Sequence, residues 1–161
     1  MRRAIRYGTL AFAAVALLGA GVAVAQDKTA AVKEREDIMK SNGQVVYRLV
    51  PGYLRNNQGT PEEIAKGAAT IVENMKKVGP LFVAGTSSTD LPGTSKAKPE
   101  IWQNLPAFQA QAQKTVGLAQ GLEAAAKTGD KDKISEAYTS LNRDGCTACH
   151  NQFRVEVPRG G

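Results

Sequence analysis

Apolar residues recur along this chain at helical spacing, and no stretch alternates in the manner of a strand. Val32, Met39 and Val46 stand at seven-residue steps, with Ile38 and Leu49 widening the stripe, which predicts a first helix from about Lys28 to Leu49. Pro51-Gly52-Tyr53 through Gly59 then carries turn residues. Thr60-Pro61-Glu62-Glu63 supplies an N-cap, a proline at the first helical position and an acidic capping-box partner. The second helix starts there, turns Ile64, Ala68, Ile71, Met75 and Val78 inward, and stops at Gly79-Pro80. From Leu81 to Lys98 the chain is rich in Gly, Ser, Thr and Pro and has no period, which predicts a packed crossover loop. Lys98-Pro99-Glu100-Ile101-Trp102 predicts a short turn, and Pro106 opens a third helix through Phe108, Ala112, Val116, Ala119 and Leu122 to about Lys127. Thr128-Gly129-Asp130 breaks and caps, and a fourth helix from Lys131 faces Ile134, Ala137, Tyr138 and Leu141 inward. The expectation is an all-α fold, an antiparallel four-helix bundle with one long connection.

The first 25 residues differ from the rest: Arg2, Arg3 and Arg6 precede an apolar, Ala-rich run from Leu10 to Val24, and Ala23-Val24-Ala25 offers a small-x-small cleavage site. That is a secretory signal pattern, too short for a membrane span of about 20 apolar residues. Residues 1–25 are read as a signal peptide cleaved after Ala25, and residues 26–161 as one domain exported to the periplasm, with no stable membrane anchor. Removing the three signal arginines from 21 basic residues leaves 18 against 15 acidic ones, a formal +3 rather than +6. With no Lys/Arg run and no aromatic-interleaved basic patch, nucleic-acid binding is excluded. The remaining asymmetry suits the steering of a redox partner.

Cys146-Thr147-Ala148-Cys149-His150 is the c-type haem attachment pattern. On a helix, residues i and i+3 share a face, so both thiols can meet the two vinyl groups along one porphyrin edge, and His150 can give iron its proximal nitrogen. A structural zinc site wants four Cys or His ligands, and the mature chain holds two cysteines and one histidine. A thioredoxin-like pair belongs beside a βαβ unit, and an i,i+3 disulfide closes too short a loop to stabilise much. One covalent haem c is therefore the expected cofactor. The lone histidine rules out bis-histidine ligation within the chain, so the sixth position falls to Met39 or Met75 or stays open to a small molecule. Met75 reads as core filling between Ile71 and Val78. For Met39, spacing alone leaves both core filling and ligation standing. A haem peroxidase would need a distal acid–base group such as a second histidine.

The C-terminal haem motif, an N-terminal helix with Arg35 four residues before Met39, and the central Lys98-Pro99-Glu100-Ile101-Trp102 together resemble the cytochrome c′ family, the class II cytochromes c, over essentially the whole mature chain. The resemblance implies a four-helix bundle with haem near one end. It also implies that Met39 stands where the low-spin branch carries an iron-bound methionine, while high-spin members carry a non-ligating side chain there and bind nitric oxide or carbon monoxide. Arg35 resembles the residue that pairs with a haem propionate, a solvated surface arginine being the alternative; Arg154, four residues after His150 and so on the same helix face, resembles the basic residue beside the proximal imidazole; and Trp102 either packs on the haem edge or is an ordinary core tryptophan. The function so implied is an electron carrier, not an enzyme, with His150 and Met39 as axial ligands and periplasmic redox proteins as partners. The alternative is a five-coordinate gas-binding protein, and homodimer pairing through helices one and two is an arrangement the resemblance admits.

Overall fold

The computed structural model describes residues 27–156, so the expected signal segment 1–25 lies outside the described residues. Those residues build helices and turns that group into four rods. The first is α1 (Lys28–Gln44), a π turn (Val45–Leu49) and α2 (Val50–Asn56); the second is α3 (Pro61–Val78), closed by a 3-10 turn (Gly79–Leu81). After the crossover and the one-turn α4 (Glu100–Gln103) come the third rod, α5 (Leu105–Lys127), and the fourth, made of α6 (Lys131–Ser140), a second π turn (Leu141–Thr147) and α7 (Ala148–Phe153). Short links between rods one and two and between rods three and four make those pairs antiparallel, and the long crossover joins α3 to α4. This is the expected four-helix bundle.

Local chemistry explains where the rods begin. Thr60 accepts from the Glu63 amide while the Glu63 carboxylate accepts from the Thr60 amide, the reciprocal cap expected from the sequence. The Asn104 side chain caps α5, and Asp130 caps α6 after Gly129 takes a left-handed φ of 70°. Between the rods, Ile64, Ile71, Leu122, Ile134 and Leu141 are at most 1% exposed. Burying each contributes roughly 1.5–3 kcal/mol. Gly67 lets rod one approach α3 closely: a Cβ there would stand 2.9 Å from a methyl of Val45 and 3.1 Å from one of Leu49.

The expected end of the first helix is corrected, because the chain stays helical through Pro51 and Gly52 as far as Asn56. Proline lacks an N–H and crowds the carbonyl four residues back, which ordinarily stops a helix. Here a π turn takes up the conflict: the Val50 amide bonds back to the Val45 carbonyl, and Pro51 has no amide to offer Val46. The Tyr138 hydroxyl from rod four donates to that Val46 carbonyl at 3.0 Å. A side chain thus supplies the bond that proline cannot.

The crossover is packed, as expected. Ser88 donates its amide to Ala97 at 2.7 Å, the Asp90 carboxylate accepts from both the amide and the hydroxyl of Ser87, and the Ser95 hydroxyl donates to the Thr86 carbonyl at 2.7 Å. Thr86, Ser87 and Ser95 are buried. The end of the loop is fastened to the chain after α7, with Val155 donating to the Lys96 carbonyl and Lys98 to the Phe153 carbonyl, each at 2.9 Å.

Tyr138→Phe is expected to lower stability by about 1–2 kcal/mol, because it leaves the Val46 carbonyl unanswered. In a Pro51→Ala background, which restores an amide to the helix, the same change should cost less by at least about 0.5 kcal/mol. Denaturant midpoints of the four proteins of that double-mutant cycle check both statements, and equal costs in the two backgrounds would show that proline does not create the need for the tyrosine.

Candidate haem site

A cavity of about 550 Å³ opens between rod one and α7. Helix α1 contributes Arg35 and Met39 to its wall, α3 contributes Met75, the crossover contributes Phe82, and α7 contributes Cys149 and His150. Ile101, Phe108 and Phe153 also line it and form a small buried cluster of their own. Phe108 meets Phe82 with centroids 4.5 Å apart and Phe153 edge-on at 5.3 Å, which gives one side of the cavity a rigid apolar lining.

The residues singled out from the sequence do not all stand on that wall. Cys149 and His150 do, one after the other at the start of α7. Cys146 lies one turn back inside the second π turn, half-buried against the main core. Arg154 lines the cavity too, but its backbone is extended beyond the end of α7, so the expected shared helix face with His150 is corrected to a position just past the helix. Trp102 is not among the residues that line the cavity: it stands behind Phe82, with centroids 6.1 Å apart and its indole N–H donated to the Phe82 carbonyl at 3.1 Å. Its indole fixes the loop that carries the wall.

Burial governs the titrating groups here. It pushes the Cys149 thiol up to about 11, with the neighbouring Cys146 adding to the effect, and raises the Cys146 thiol as well. Both therefore stay protonated at neutral pH, which protects them from adventitious oxidation. Burial, and secondarily the Arg154 cation, pushes the His150 imidazole below its ordinary range and so favours the neutral form that binds metals.

Arg35 is the least expected feature of the site. It is only 6% exposed, and burial pulls its guanidinium below the ordinary range, partly offset by nearby Glu36, yet no carboxylate among the described residues forms an ion pair with it. Its Nη2 donates to the Thr86 carbonyl at 3.1 Å and reaches the Ser95 hydroxyl at 3.4 Å, and its guanidinium lies 4.5 Å from the Phe82 ring centroid. Nη1 is buried with no hydrogen-bond partner among the described residues. A buried donor left in this way costs about 1–3 kcal/mol, so the site calls for an acceptor, and an anionic one.

The two methionines differ. Met39 stands one turn after Arg35, half-buried on the wall, whereas the Met75 sulfur takes the amide of buried Asn42 at 3.8 Å, and the Asn42 carbonyl in turn accepts from Asn74 at 2.8 Å. Sequence reasoning passed over Asn42 and Phe82, since one polar residue inside an apolar stripe and one aromatic in a loop carry no periodic signal. The cavity, the orphaned guanidinium nitrogen and the neutral imidazole fit a haem with an acidic edge.

A family model described as Cytochrome C' matches residues 30–154. The chain belongs to the cytochrome c′ family. A covalently bound c-type haem is the cofactor of this family. Cytochrome c′ of Rhodospirillum rubrum is 28% identical over 144 residues, covering 89% of this chain and 95% of that protein. Cytochrome c-556 of Agrobacterium tumefaciens is 29% identical over 125 residues, 78% of this chain and 97% of that one. Among solved structures, cytochrome c′ from Thermochromatium tepidum superposes with a TM-score of 0.71 at 21% identity, covering 81% of this chain and 98% of that chain. A nitric oxide complex of a mutant cytochrome c prime from Alcaligenes xylosoxidans superposes with a TM-score of 0.70 at 22% identity, covering 82% and 98%. At these identities the two superpositions carry the fold.

In haem-free folded chain, the high position of the Cys149 thiol leaves its thiolate at pH 8 roughly a hundredfold or more below that of a free cysteine. Its alkylation by iodoacetamide is expected to be at least about tenfold slower, and to quicken close to tenfold per pH unit from 8 to 10. Rates matching free cysteine would show that the thiol is not buried as described.

Proposed function

We propose that this cytochrome c′ is an exported, periplasmic electron carrier, not an enzyme, with haem held covalently by Cys146 and Cys149 and ligated by His150 and Met39. The observation that carries this reading is the placement of Met39: it shares a cavity wall with His150 and Cys149, while the other thioether on that wall is engaged by Asn42. Export rests on the signal pattern of residues 1–25, and no helix among the described residues is long and apolar enough to cross a membrane.

When bound, the haem supplies one-electron exchange between ferric and ferrous iron. The chain's own residues set the conditions for it. His150 offers a neutral imidazole, Met39 a neutral thioether that favours the ferrous state, and the Ile101, Phe108 and Phe153 cluster keeps water from one side. Arg35 holds a cation where an acidic edge needs one, with Nη1 free to take a propionate oxygen. Arg154, next to His150 on the wall, is placed to tune the imidazole from outside the ligand set. Two side-chain ligands leave iron no open position, so the partners are donor and acceptor proteins. Homodimers fit the family as well, since one relative is described as a cytochrome c′ with ligand-controlled dimer dissociation.

A second reading is favoured by the relatives solved with nitric oxide and with carbon monoxide. In it Met39 only packs, iron is five-coordinate, and the cavity receives a small gas. Absorption spectra with a carbon monoxide titration of the ferrous protein separate the two. The parent is expected to be low-spin and indifferent to carbon monoxide, and Met39→Ala to become high-spin, to bind the gas and to show a lower reduction potential. A parent that binds carbon monoxide readily, with little change on substitution, establishes the gas-binding reading.

Arg35→Met is expected to destabilise the holoprotein more than the haem-free chain, because only the former offers Nη1 an anionic acceptor. The difference should be about 1–3 kcal/mol in denaturant unfolding. Equal losses in the two forms would mean that the orphaned nitrogen does not meet the cofactor.

A further inference from the structure

Cys146 lies in the second π turn, and that turn has a consequence for its backbone. The Ala148 amide bonds to the carbonyls of Arg143 and Gly145, so the Asp144 carbonyl loses the donor an α-helix would have given it four residues on. Gln111, on α5, supplies the replacement. Its side-chain amide donates to the Asp144 carbonyl at 2.9 Å and to the Gly145 carbonyl at 3.2 Å. Its own backbone carbonyl accepts from the Thr115 hydroxyl at 2.9 Å. Gly145 is buried where it meets α5, and a Cβ there would stand 3.3 Å from the Thr115 methyl and 3.4 Å from Leu118, so the turn rests directly on that helix.

We infer that Gln111 is a positioning residue for haem attachment, its amide holding the π turn in the register that sets where the Cys146 thiol stands. A π turn accommodates one residue more than the α-helix it interrupts, and relaxation to α geometry would rotate the residues downstream of the turn by about 100° relative to α5. Cys146 stands inside the turn and Cys149 just beyond it in α7, so how the two thiols are rotated relative to one another depends on the turn surviving. Attachment adds the thiol across a haem vinyl group: the S–H bond and the vinyl π bond break, a C–S bond forms, the proton goes to the neighbouring vinyl carbon, and no electron is gained or lost overall. Only the position of sulfur against the vinyl is left for the protein to decide. The inference rests on the proposed attachment through Cys146 and Cys149.

The test uses the full chain matured with haem in the periplasm and compares the parent with Gln111→Leu, Gln111→Glu, Thr115→Val and Cys146→Ala. Purified holoprotein is denatured and alkylated, free Cys146 is quantified by mass spectrometry, and the pyridine haemochrome band reports any unreacted vinyl by its shift to longer wavelength. Gln111→Leu and Gln111→Glu are expected to raise the fraction of chains with an alkylatable Cys146 about tenfold and to shift the band, whereas Thr115→Val, which keeps the packing on Gly145, leaves both at parent values. If Gln111→Leu does not accumulate, Gln111→Glu, with the same shape and no amide donor, carries the comparison. The inference is overturned if the Gln111 variants fold with both thioethers at the parent proportion, or if Thr115→Val matches them. A Cys146→Ala protein with an unshifted haemochrome would instead overturn the attachment reading itself.

Discussion

A guanidinium removed from water is expensive to keep, by several kcal/mol even after relaxation, unless each of its donors is answered. Arg35 is such a group, and much of the haem end of the bundle is arranged around it. With no ion pair to a carboxylate among the described residues, the cation is held by the Thr86 carbonyl, the Ser95 hydroxyl and the face of Phe82. All three come from the crossover. To present them the loop must be folded inward, and the Ser87–Asp90 cap and the Ser88 to Ala97 bond are what hold it there. The nitrogen that remains unanswered faces the need for an external anion, so the same group that organises the loop prepares the site for an acidic cofactor edge.

The loop also reaches the opposite wall. Lys96 and Lys98 pair with Val155 and Phe153 just beyond α7, and the Lys98 ammonium donates to the Asn151 carbonyl at 3.0 Å. A chain of hydrogen bonds therefore runs from Arg35 on rod one, through the crossover, to the helix that carries His150. Two π turns complete this arrangement, one in each of the rods facing the cavity. Pro51 accounts for the first, with the Tyr138 hydroxyl as its remedy, and Gly145 with the Gln111 amide accompanies the second. In both cases a side chain from another rod supplies a backbone bond that the local sequence cannot.

This division marks what could be read from the sequence. Caps such as Thr60 with Glu63 are local chemistry, and the stripe Ile64, Ala68, Ile71, Met75 and Val78 is periodic, so α3 was legible almost residue by residue. The haem motif was legible because its spacing is itself the chemical requirement. Rod one was misjudged at Pro51 because the bond that rescues the helix comes from Tyr138, ninety-two residues away in the chain. The burial of Arg35 and the placement of Trp102 behind Phe82 depend likewise on how an aperiodic loop folds, and no spacing rule reaches them. Cys146 and Cys149 share a helix face by counting, but the count assumes α geometry, and Cys146 lies in a π turn whose register no spacing rule supplies.

The same geometry bears on the choice between the two methionines. Both thioethers border the cavity, so apolar spacing cannot separate them, and the polar neighbours must. Met75 sits beside a buried asparagine whose carbonyl is already taken by Asn74, which turns the amide donors toward sulfur. An acceptor engaged in this way is a poorer electron donor. Met39 accepts no such hydrogen bond among the described residues and stands one turn from Arg35, on the helix that the crossover ties to α7. If haem is held by Cys146 in the π turn and by Cys149 and His150 on α7, the distance Met39 would have to span is set by that tie rather than by the flexible methionine. Ligands held so from both sides have little to rearrange when iron changes oxidation state, and a one-electron carrier gains rate from that stiffness.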